Sequence, residues 1–182
     1  MKTTIFLFHP DYKDSRVNKA LASGAKNAGI TVRNLYDLYP DGEINVNKEQ
    51  AVLESTDRIV LQFPMYWYSS PALLKEWEDK VFEHGWAYGS TGDKLHGKEL
   101  MLAVSPGAPT SAYHHDGKNY TVTELLRPFQ ATSSMIGTKY LKPFITVGAT
   151  SISDADLANQ VTNYVKYLEE ENIPKLGTYE EE

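Results

Sequence analysis

The chain has 182 residues, of which 41% are hydrophobic and 12% aromatic, so it can bury one sizeable core, and we expect a single domain covering residues 1 to 182. Its net charge of −6, with 18 basic residues that form no run, argues against nucleic-acid binding, which requires clustered Lys and Arg. Because the chain has no cysteine, disulfides, thiolate metal sites and cysteine nucleophiles are excluded, and any redox chemistry must belong to a bound cofactor.

The N-terminal segment lacks the pattern of a targeting signal. Met1 to Phe8 has one charge before a short apolar run, which ends at His9 and Pro10. This run is far too short for the hydrophobic region of a signal peptide or for a membrane span. We therefore expect a cytoplasmic protein.

The first half of the chain alternates predicted strands with predicted helices. In chain order, the pattern predicts a buried strand from Thr4 to Phe8, a helix from Ser15 to Ala28, a half-buried strand from Ile30 to Leu35, a loop from Asp37 to Asn47, a buried strand from Arg58 to Phe63 and a helix from Pro71 to His84. Gly29 is a plausible stop signal for the first helix, since glycine adopts the left-handed conformation that commonly ends helices.

The second half continues the same alternation. The pattern predicts a loop from Gly85 to Gly97, a buried strand from Glu99 to Ser105, a helix from Val122 to Ile136, a buried strand from Lys142 to Val147 and a last helix from Asp154 to Glu170. Ser153 is the predicted N-cap of the last helix, because acidic residues follow it in the first turn.

This alternation predicts an α/β protein with a doubly wound, parallel, five-stranded sheet and helices on both faces, because parallel neighbours require crossover helices. Ligands of such sheets bind outside the carboxyl ends of the strands. The chemistry is therefore expected in the loops that follow Phe8, Gln62 and Val104.

The first of these loops is suited to binding a phosphate. It joins a strand to the N-terminus of a helix, where unpaired N–H groups and the helix dipole favour an anion. Ser15 and Asn18 can add side-chain donors, and His9 can meet the phosphate from the strand end. The alternative is that Asp14 or Ser15 only caps the helix.

The second loop carries three consecutive aromatic residues, Tyr66, Trp67 and Tyr68, between a buried strand and a helix that begins at Pro71. Three adjacent aromatic side chains cannot all face one core. At the mouth of a parallel sheet they offer stacking area for a planar ring system. The alternative is that Trp67 or Tyr68 covers the core or fills a subunit interface.

The third loop, Ser105 to Gly117, combines turn residues with polar groups. Gly107 lets the backbone approach a ligand closely, and Tyr113 supplies a hydroxyl on an aromatic body. His114, His115 and Asp116 are adjacent in the chain, and adjacent loop residues rarely converge on one ion, so no metal site is predicted. No G-x-S-x-G motif indicates a hydrolase.

At these three loops the chain resembles the NAD(P)H:quinone oxidoreductase family of flavodoxin-like flavoproteins, including its small bacterial members and the ancillary oxidoreductases of potassium-efflux systems. The most specific stretch, Pro64 to Phe82, is similar to the family's flavin-ring loop and following helix. The S-x-x-N spacing of Ser15 and Asn18 resembles its flavin-phosphate loop, and Ser105 to Ala108 with Tyr113 resembles its second ring loop. Lys139 to Gly148 resembles its last strand.

The resemblance implies a flavodoxin-like fold and a homodimer with two active sites at the subunit interface, each with one non-covalent flavin. His9, Ser15, Val17 and Asn18 would lie at the phosphate, and Tyr113 at the polar edge of the ring. The remaining ring contacts would come from Pro64, Met65, Tyr66, Trp67, Tyr68, Ser105 and Gly107.

The chain departs from the family's animal members at two points. Pro106 lacks a backbone donor that those members have, and Asn119 stands where they have a histidine six residues beyond the tyrosine. We therefore assign Tyr113 and His114 as candidate catalytic residues, with His115 as the alternative to His114. The chain is also shorter than those members, with no extra segment to cover an adenosine, which favours FMN over FAD.

The function implied is hydride transfer from NAD(P)H to a quinone-like acceptor, two electrons at a time, in a ping-pong exchange at one face of the flavin. An azo- or nitro-compound reductase would use the same site. A non-enzymatic electron carrier, or a regulatory subunit that associates with a membrane transporter, is the alternative from another class.

Overall fold

Strands and helices alternate along the chain as the sequence predicts. A computed structural model describes residues 1–116 and 119–177, so Gly117, which ends the third predicted loop, and residues 178–182 lie outside the described residues. The strands are β1 Thr3–Leu7, β2 Thr31–Asn34, β3 Arg58–Pro64, β4 Glu99–Ser105, β5 Lys139–Tyr140 and β6 Phe144–Ile145. The helices are α1 Val17–Asn27, α2 Leu35–Leu38, α3 Val46–Glu54, α4 Ala72–Val81, α5 Val122–Leu125, α6 Arg127–Met135 and α7 Asp154–Glu169.

The strands form one parallel sheet in the order β2-β1-β3-β4-β5, and β6 also pairs with β4. Two short strands, β5 and β6, thus share the fifth position, which confirms the predicted five-stranded, doubly wound arrangement. The strand predicted from Lys142 to Val147 is present only as the shorter β6, and β5, which precedes that range, was not predicted. Leu100 pairs with Tyr140 but Ala103 pairs with Phe144, so one extra residue interrupts the ladder. Pro143, which cannot donate a backbone hydrogen bond, lies in that interruption.

The sheet is covered on both faces, because alternate side chains of its central strands enter two separate cores. On β1, Phe6 packs on the side of α4 and α6, whereas Ile5 and Leu7 pack on the side of α1 and α7. β3 and β4 alternate in the same way, and every residue of β3 is buried. Continuous apolar strands therefore follow from burial on both faces.

The single helix predicted from Val122 to Ile136 is divided into two in the structure. The chain instead forms α5 and α6, which meet at Leu126. Pro128, in the first turn of α6, has no N–H to donate and its ring would clash with the preceding turn of a continuous helix. The capping box of Thr121 and Glu124 fixes the start of α5.

Smaller differences lie at the ends of elements. α1 begins at Val17, so Ser15 precedes the helix, and Pro71 is the N-cap of α4 rather than its first helical residue. Gly29, with a φ of +83°, follows α1 as predicted. Ser153 caps α7 by accepting a hydrogen bond from the Asp156 N–H at 3.1 Å. The prediction that residues 1 to 182 form a single domain is a separate matter and stays a prediction.

Helices α2 and α3 were not predicted. α3 crosses from the edge strand β2 to β3 over β1, a connection that a parallel sheet requires. The buried residues of α3 are Glu49, Gln50 and Leu53, so two of the three are polar. Its apolar periodicity is accordingly too weak to identify a helix from the sequence.

Candidate functional site

A cleft of about 450 Å³ lies at the carboxyl edge of the sheet, where β1, β3 and β4 end. Nine of the twelve residues predicted to hold a cofactor line it. They are His9, Ser15, Val17, Asn18, Pro64, Met65, Tyr66, Ser105 and Gly107. The topology places these loops side by side, because the carboxyl ends of parallel strands meet at one edge.

One end of the cleft is formed by the N-terminus of α1. Arg16 is the N-cap residue, and within the described part of the chain its side chain makes no capping hydrogen bond. A guanidinium has no acceptor, so it leaves the first N–H groups of α1 available to an anion. Ser15, with a donor hydroxyl, lies directly before that turn.

His9 lines the same end of the cleft. The N–H of Asp11 donates a hydrogen bond to His9 Nδ1 at 3.1 Å, which requires that Nδ1 be unprotonated. Burial lowers the pKa of His9, against a smaller opposing effect of Asp11. The neutral ring therefore carries its proton on Nε2, and His9 offers a neutral donor.

The second loop forms the opposite wall and then turns sharply away. Pro64, Met65 and Tyr66 line the cleft, and the Met65 N–H donates to the Ser105 carbonyl at 3.2 Å. Tyr66 and Ser69 exchange two backbone hydrogen bonds, of 3.1 and 3.0 Å, across a two-residue turn. The hydrogen bond from Met65 to Ser105, the last residue of β4, fixes the loop against that neighbouring strand.

The two residues at the tip of that turn, Trp67 and Tyr68, have φ values of 48° and 62°. These are left-handed conformations that bulky residues rarely adopt, and the pattern is that of a type I′ hairpin turn. Trp67 is 93% exposed and Tyr68 62% exposed. Trp67 and Tyr68 were predicted to contact the flavin ring, but neither lines the cleft within one copy of the chain.

The third loop is held against the loop that follows β6. The Thr150 hydroxyl donates to the Gly107 carbonyl at 2.8 Å, and the Gly148 N–H donates to the Ala108 carbonyl at 2.8 Å. A Cβ on Gly107 would lie 3.3 Å from Thr150 Cγ2, so a larger residue there would have to displace the Thr150 side chain by a few tenths of an ångström. Gly107 thereby meets both the cleft and Thr150.

Tyr113 lies in a separate pocket of about 260 Å³, together with Tyr68 and Asn119. The family's histidine position, occupied here by Asn119, thus shares a pocket with the predicted catalytic tyrosine. His114 lines neither this pocket nor the cleft, and its Nε2 lies 3.0 Å from Asp116 Oδ2. His115 Nδ1 instead lies 2.8 Å from Glu124 Oε1.

Several cleft residues were missed by the sequence analysis. They are Asp11, Asp14, Arg16, Ala149 and Thr150. Ala149 and Thr150 follow the fifth sheet position, and the same rule on carboxyl ends that singled out three loops could have identified this fourth one. Arg16 donates to the Ile152 carbonyl and to Asp154, each at 2.5 Å, and so ties α1 to the start of α7.

The donor set of the cleft suits an anionic organic ligand. In residues 1–116 and 119–177, no group of three or more His, Asp or Glu could hold a metal ion. No helix of the described ranges is long and apolar enough to cross a membrane. A doubly wound parallel sheet with this cleft at its carboxyl edge defines a flavodoxin-like α/β protein.

Comparisons with known proteins agree with this class. The model of a family described as having a flavodoxin-like fold matches residues 1–168. The chain is 50% identical over 174 residues to the uncharacterized NAD(P)H oxidoreductase YrkL of Bacillus subtilis, covering 94% of this chain and 100% of the relative. It is 39% identical to the glutathione-regulated potassium-efflux system ancillary protein KefG of Cronobacter sakazakii, covering 95% of each chain.

Two solved structures are similar over nearly their whole length. General stress protein 14 of Treponema denticola, in complex with FMN, has a TM-score of 0.87 and 39% identity, with 92% of this chain and 98% of that chain covered. An NADPH-quinone reductase of P. pentosaceus has a TM-score of 0.83 and 32% identity, with the same shares covered. The chain belongs to the flavodoxin-like NAD(P)H oxidoreductase family, which confirms the resemblance, the fold class and the prediction of an oxidoreductase enzyme.

Proposed function

We propose that this protein binds FMN in the cleft at the carboxyl edge of the sheet and reduces quinone-like acceptors with electrons from NAD(P)H. The observation that carries the proposal is the convergence of the uncapped N-terminus of α1 with the Pro64–Tyr66 wall in one cleft. The FMN in the Treponema denticola structure and the quinone reductase name of the P. pentosaceus structure support it.

The residues present fit FMN at both ends. A phosphate needs hydrogen-bond donors, and the first N–H groups of α1, the Ser15 hydroxyl and the neutral His9 ring supply them, in a cleft that the Asp11 and Asp14 carboxylates also line. A planar ring needs a flat, largely apolar wall, which Pro64 and Met65 provide. The cleft volume of about 450 Å³ lies within the range of small-molecule sites.

When bound, FMN would supply the two-electron hydride chemistry that connects NAD(P)H with the acceptor. The protein would position the ring and stabilise the charge of the phosphate. Pro64 and Met65 hold the ring in place, and the N-terminus of α1 stabilises the negative charge of the phosphate. Tyr113, in its pocket with Tyr68 and Asn119, would contact the second substrate or the ring edge, and a catalytic role for His114 stays a prediction.

The exposed turn of Trp67 and Tyr68 supports a homodimer. Large aromatic side chains are seldom left in water in strained conformations unless something covers them. A second copy of the chain would cover both rings and bring them toward a cleft, as the family resemblance implies. The predicted ring contacts of Trp67 and Tyr68 would then be made across the dimer interface.

Two further predictions from the sequence stay predictions. The first is the cytoplasmic location. The second is association with a membrane transporter, which the similarity to KefG, named an ancillary protein of a potassium-efflux system, supports.

Initial-rate kinetics of the FMN-loaded protein test the proposed function. With NADH or NADPH varied at several fixed concentrations of a benzoquinone, ping-pong exchange predicts a family of parallel double-reciprocal lines. Intersecting lines would contradict a single shared site. Absence of NAD(P)H turnover with every acceptor would contradict the enzyme itself and favour the electron carrier.

A further inference from the structure

Gln62 is a fully buried amide on a strand that is otherwise almost entirely apolar. With Val60, it faces the core between the sheet and helices α1 and α7. A buried amide is costly unless its donors and its acceptor are hydrogen-bonded. Its partners therefore indicate what the residue does.

The Gln62 side chain is bonded on both sides. Its Nε2 donates to the Asn18 carbonyl at 3.0 Å and lies 3.3 Å from Asn18 Oδ1. The hydroxyl of Tyr164, on α7, donates to Gln62 Oε1 at 3.1 Å. Burial raises the pKa of Tyr164 above its ordinary value, so this hydroxyl stays protonated.

These contacts fix the direction of each hydrogen bond. The Asn18 backbone carbonyl can only accept, so the Gln62 atom beside it must be the amide nitrogen. Gln62 Oε1 then faces Tyr164, which must donate. The Asn18 atom beside Gln62 Nε2 must likewise be its oxygen, so Asn18 turns its own amide nitrogen the other way.

The last hydrogen bond in this series, which runs from Tyr164 through Gln62 to Asn18, reaches the cleft. Asn18 Nδ2 donates to Ser105 Oγ at 2.7 Å, and both residues line the cleft. Since the Ser105 oxygen accepts from Asn18, the Ser105 hydroxyl proton is left for another partner. Within the described ranges that hydroxyl donates to no other residue, and the cleft is the space next to it.

We propose that Gln62 and Tyr164 are positioning residues, which orient Asn18 so that the Ser105 hydroxyl donates a hydrogen bond to the bound flavin. This inference rests on the proposed function, since it needs a flavin in the cleft. Hydrogen bonds that run donor to acceptor in one direction polarise one another, so removal of the far end weakens the donor at the near end. Neither Gln62 nor Tyr164 lines the cleft.

The test is a double-mutant cycle on the dissociation constant of FMN, measured by fluorescence titration of the apoprotein. Ser105→Ala is expected to weaken binding about tenfold and Tyr164→Phe about threefold, the range for a hydrogen bond to a ligand and for its weakening. The double variant is expected to bind no more weakly than Ser105→Ala alone, because Tyr164 acts only through Ser105. Ser105→Thr, which keeps the hydroxyl, should restore most of the affinity.

Tyr167→Phe is the matched control. Tyr167 lies on the same helix, but its hydroxyl donates to the Lys142 carbonyl at 2.8 Å, outside this series. The Tyr167→Phe variant should lack this hydrogen bond and bind FMN as tightly as the wild type. If Tyr164→Phe fails to fold, judged by thermal unfolding of the apoprotein, Gln62→Met takes its place in the cycle.

The outcomes separate this inference from the proposed function. A wild-type protein that does not bind FMN overturns both. A wild-type protein that binds FMN, with Tyr164→Phe unaffected or with additive effects in the double variant, overturns only the positioning role. Repeating the cycle with riboflavin locates the acceptor: equal losses place it on the ring or ribityl chain, and losses confined to FMN place it on the phosphate.

Discussion

At the scale of single residues, Glu78 on α4 is a carboxyl held in a partly apolar groove with Phe82, Met135 and Ile136. Burial raises its pKa from 4.5 to about 7, against an opposing effect of Lys75. Between these two pH values the unfolded chain has lost the proton that the folded chain keeps. The free energy of unfolding therefore falls as the pH rises from 4.5 to 7, and the stabilisation is fully present only below pH 4.5.

Glu78→Gln removes this dependence. The wild type should lose about 3 kcal/mol of stability across that pH window on account of Glu78, and the variant should not, so the variant becomes the more stable protein at pH 8. Urea unfolding at pH 5 and pH 8 measures the difference. Glu76→Gln, on the exposed side of the same helix, is the control and should behave as the wild type. An unchanged pH dependence in Glu78→Gln would contradict the account.

The sequence predicted most cleft residues because their neighbours in the chain place them at strand ends. Ser15 and Asn18 follow β1, and Met65 follows β3, so the fold alone brings them together. The sequence could not predict that Trp67 and His114 lie outside the cleft of one copy of the chain, because each is positioned by local contacts: a left-handed turn in one case and Asp116 in the other. Their predicted roles at the flavin stay predictions. Gln62 was also missed, since a single polar residue inside an apolar strand carries no pattern.

At the scale of elements, the Trp67–Tyr68 turn costs backbone energy, and Trp67 allows this to be measured. At a φ of 48°, Trp67→Gly relieves the strain, whereas Trp67→Ala removes the same ring and keeps the strain. The glycine variant should be more stable than the alanine variant by about 1 kcal/mol, the reverse of the usual order in regular structure. Thermal unfolding of both variants at the same protein concentration checks this. An alanine variant at least as stable as the glycine variant would show that the turn is unstrained.

The elements that the sequence predicted are those with apolar periodicity. α3 was missed because it buries Glu49, which accepts hydrogen bonds from Tyr39 at 2.5 Å and Trp77 at 3.2 Å and pairs with Arg33. A carboxylate satisfied by partners distant in the chain replaces the apolar side chain that a helix pattern requires. The interruption between β5 and β6 was missed for a different reason: Pro143 lies directly before the apolar pair Phe144 and Ile145, so the segment still has the composition of a strand.

At the scale of the whole molecule, the exposed aromatic turn predicts a dimer. Sedimentation velocity should give a dimer for the wild type, and Trp67→Glu should shift it toward the monomer, because the charge would be buried at the interface. Met135→Glu is the control: it places the same charge on another exposed apolar residue, in the last turn of α6. Dimers in both variants would place the interface elsewhere, and a monomeric wild type would contradict the dimer.

The central claim is that the cleft holds FMN and passes electrons from NAD(P)H to a quinone. The most direct test is the visible absorption spectrum of the FMN-reconstituted protein, recorded anaerobically after addition of NADH or NADPH and again after a benzoquinone. We predict that the flavin band disappears with one or both nicotinamides and returns with the quinone. A protein that takes up no FMN, or whose bound FMN is bleached by neither nicotinamide, would contradict the claim.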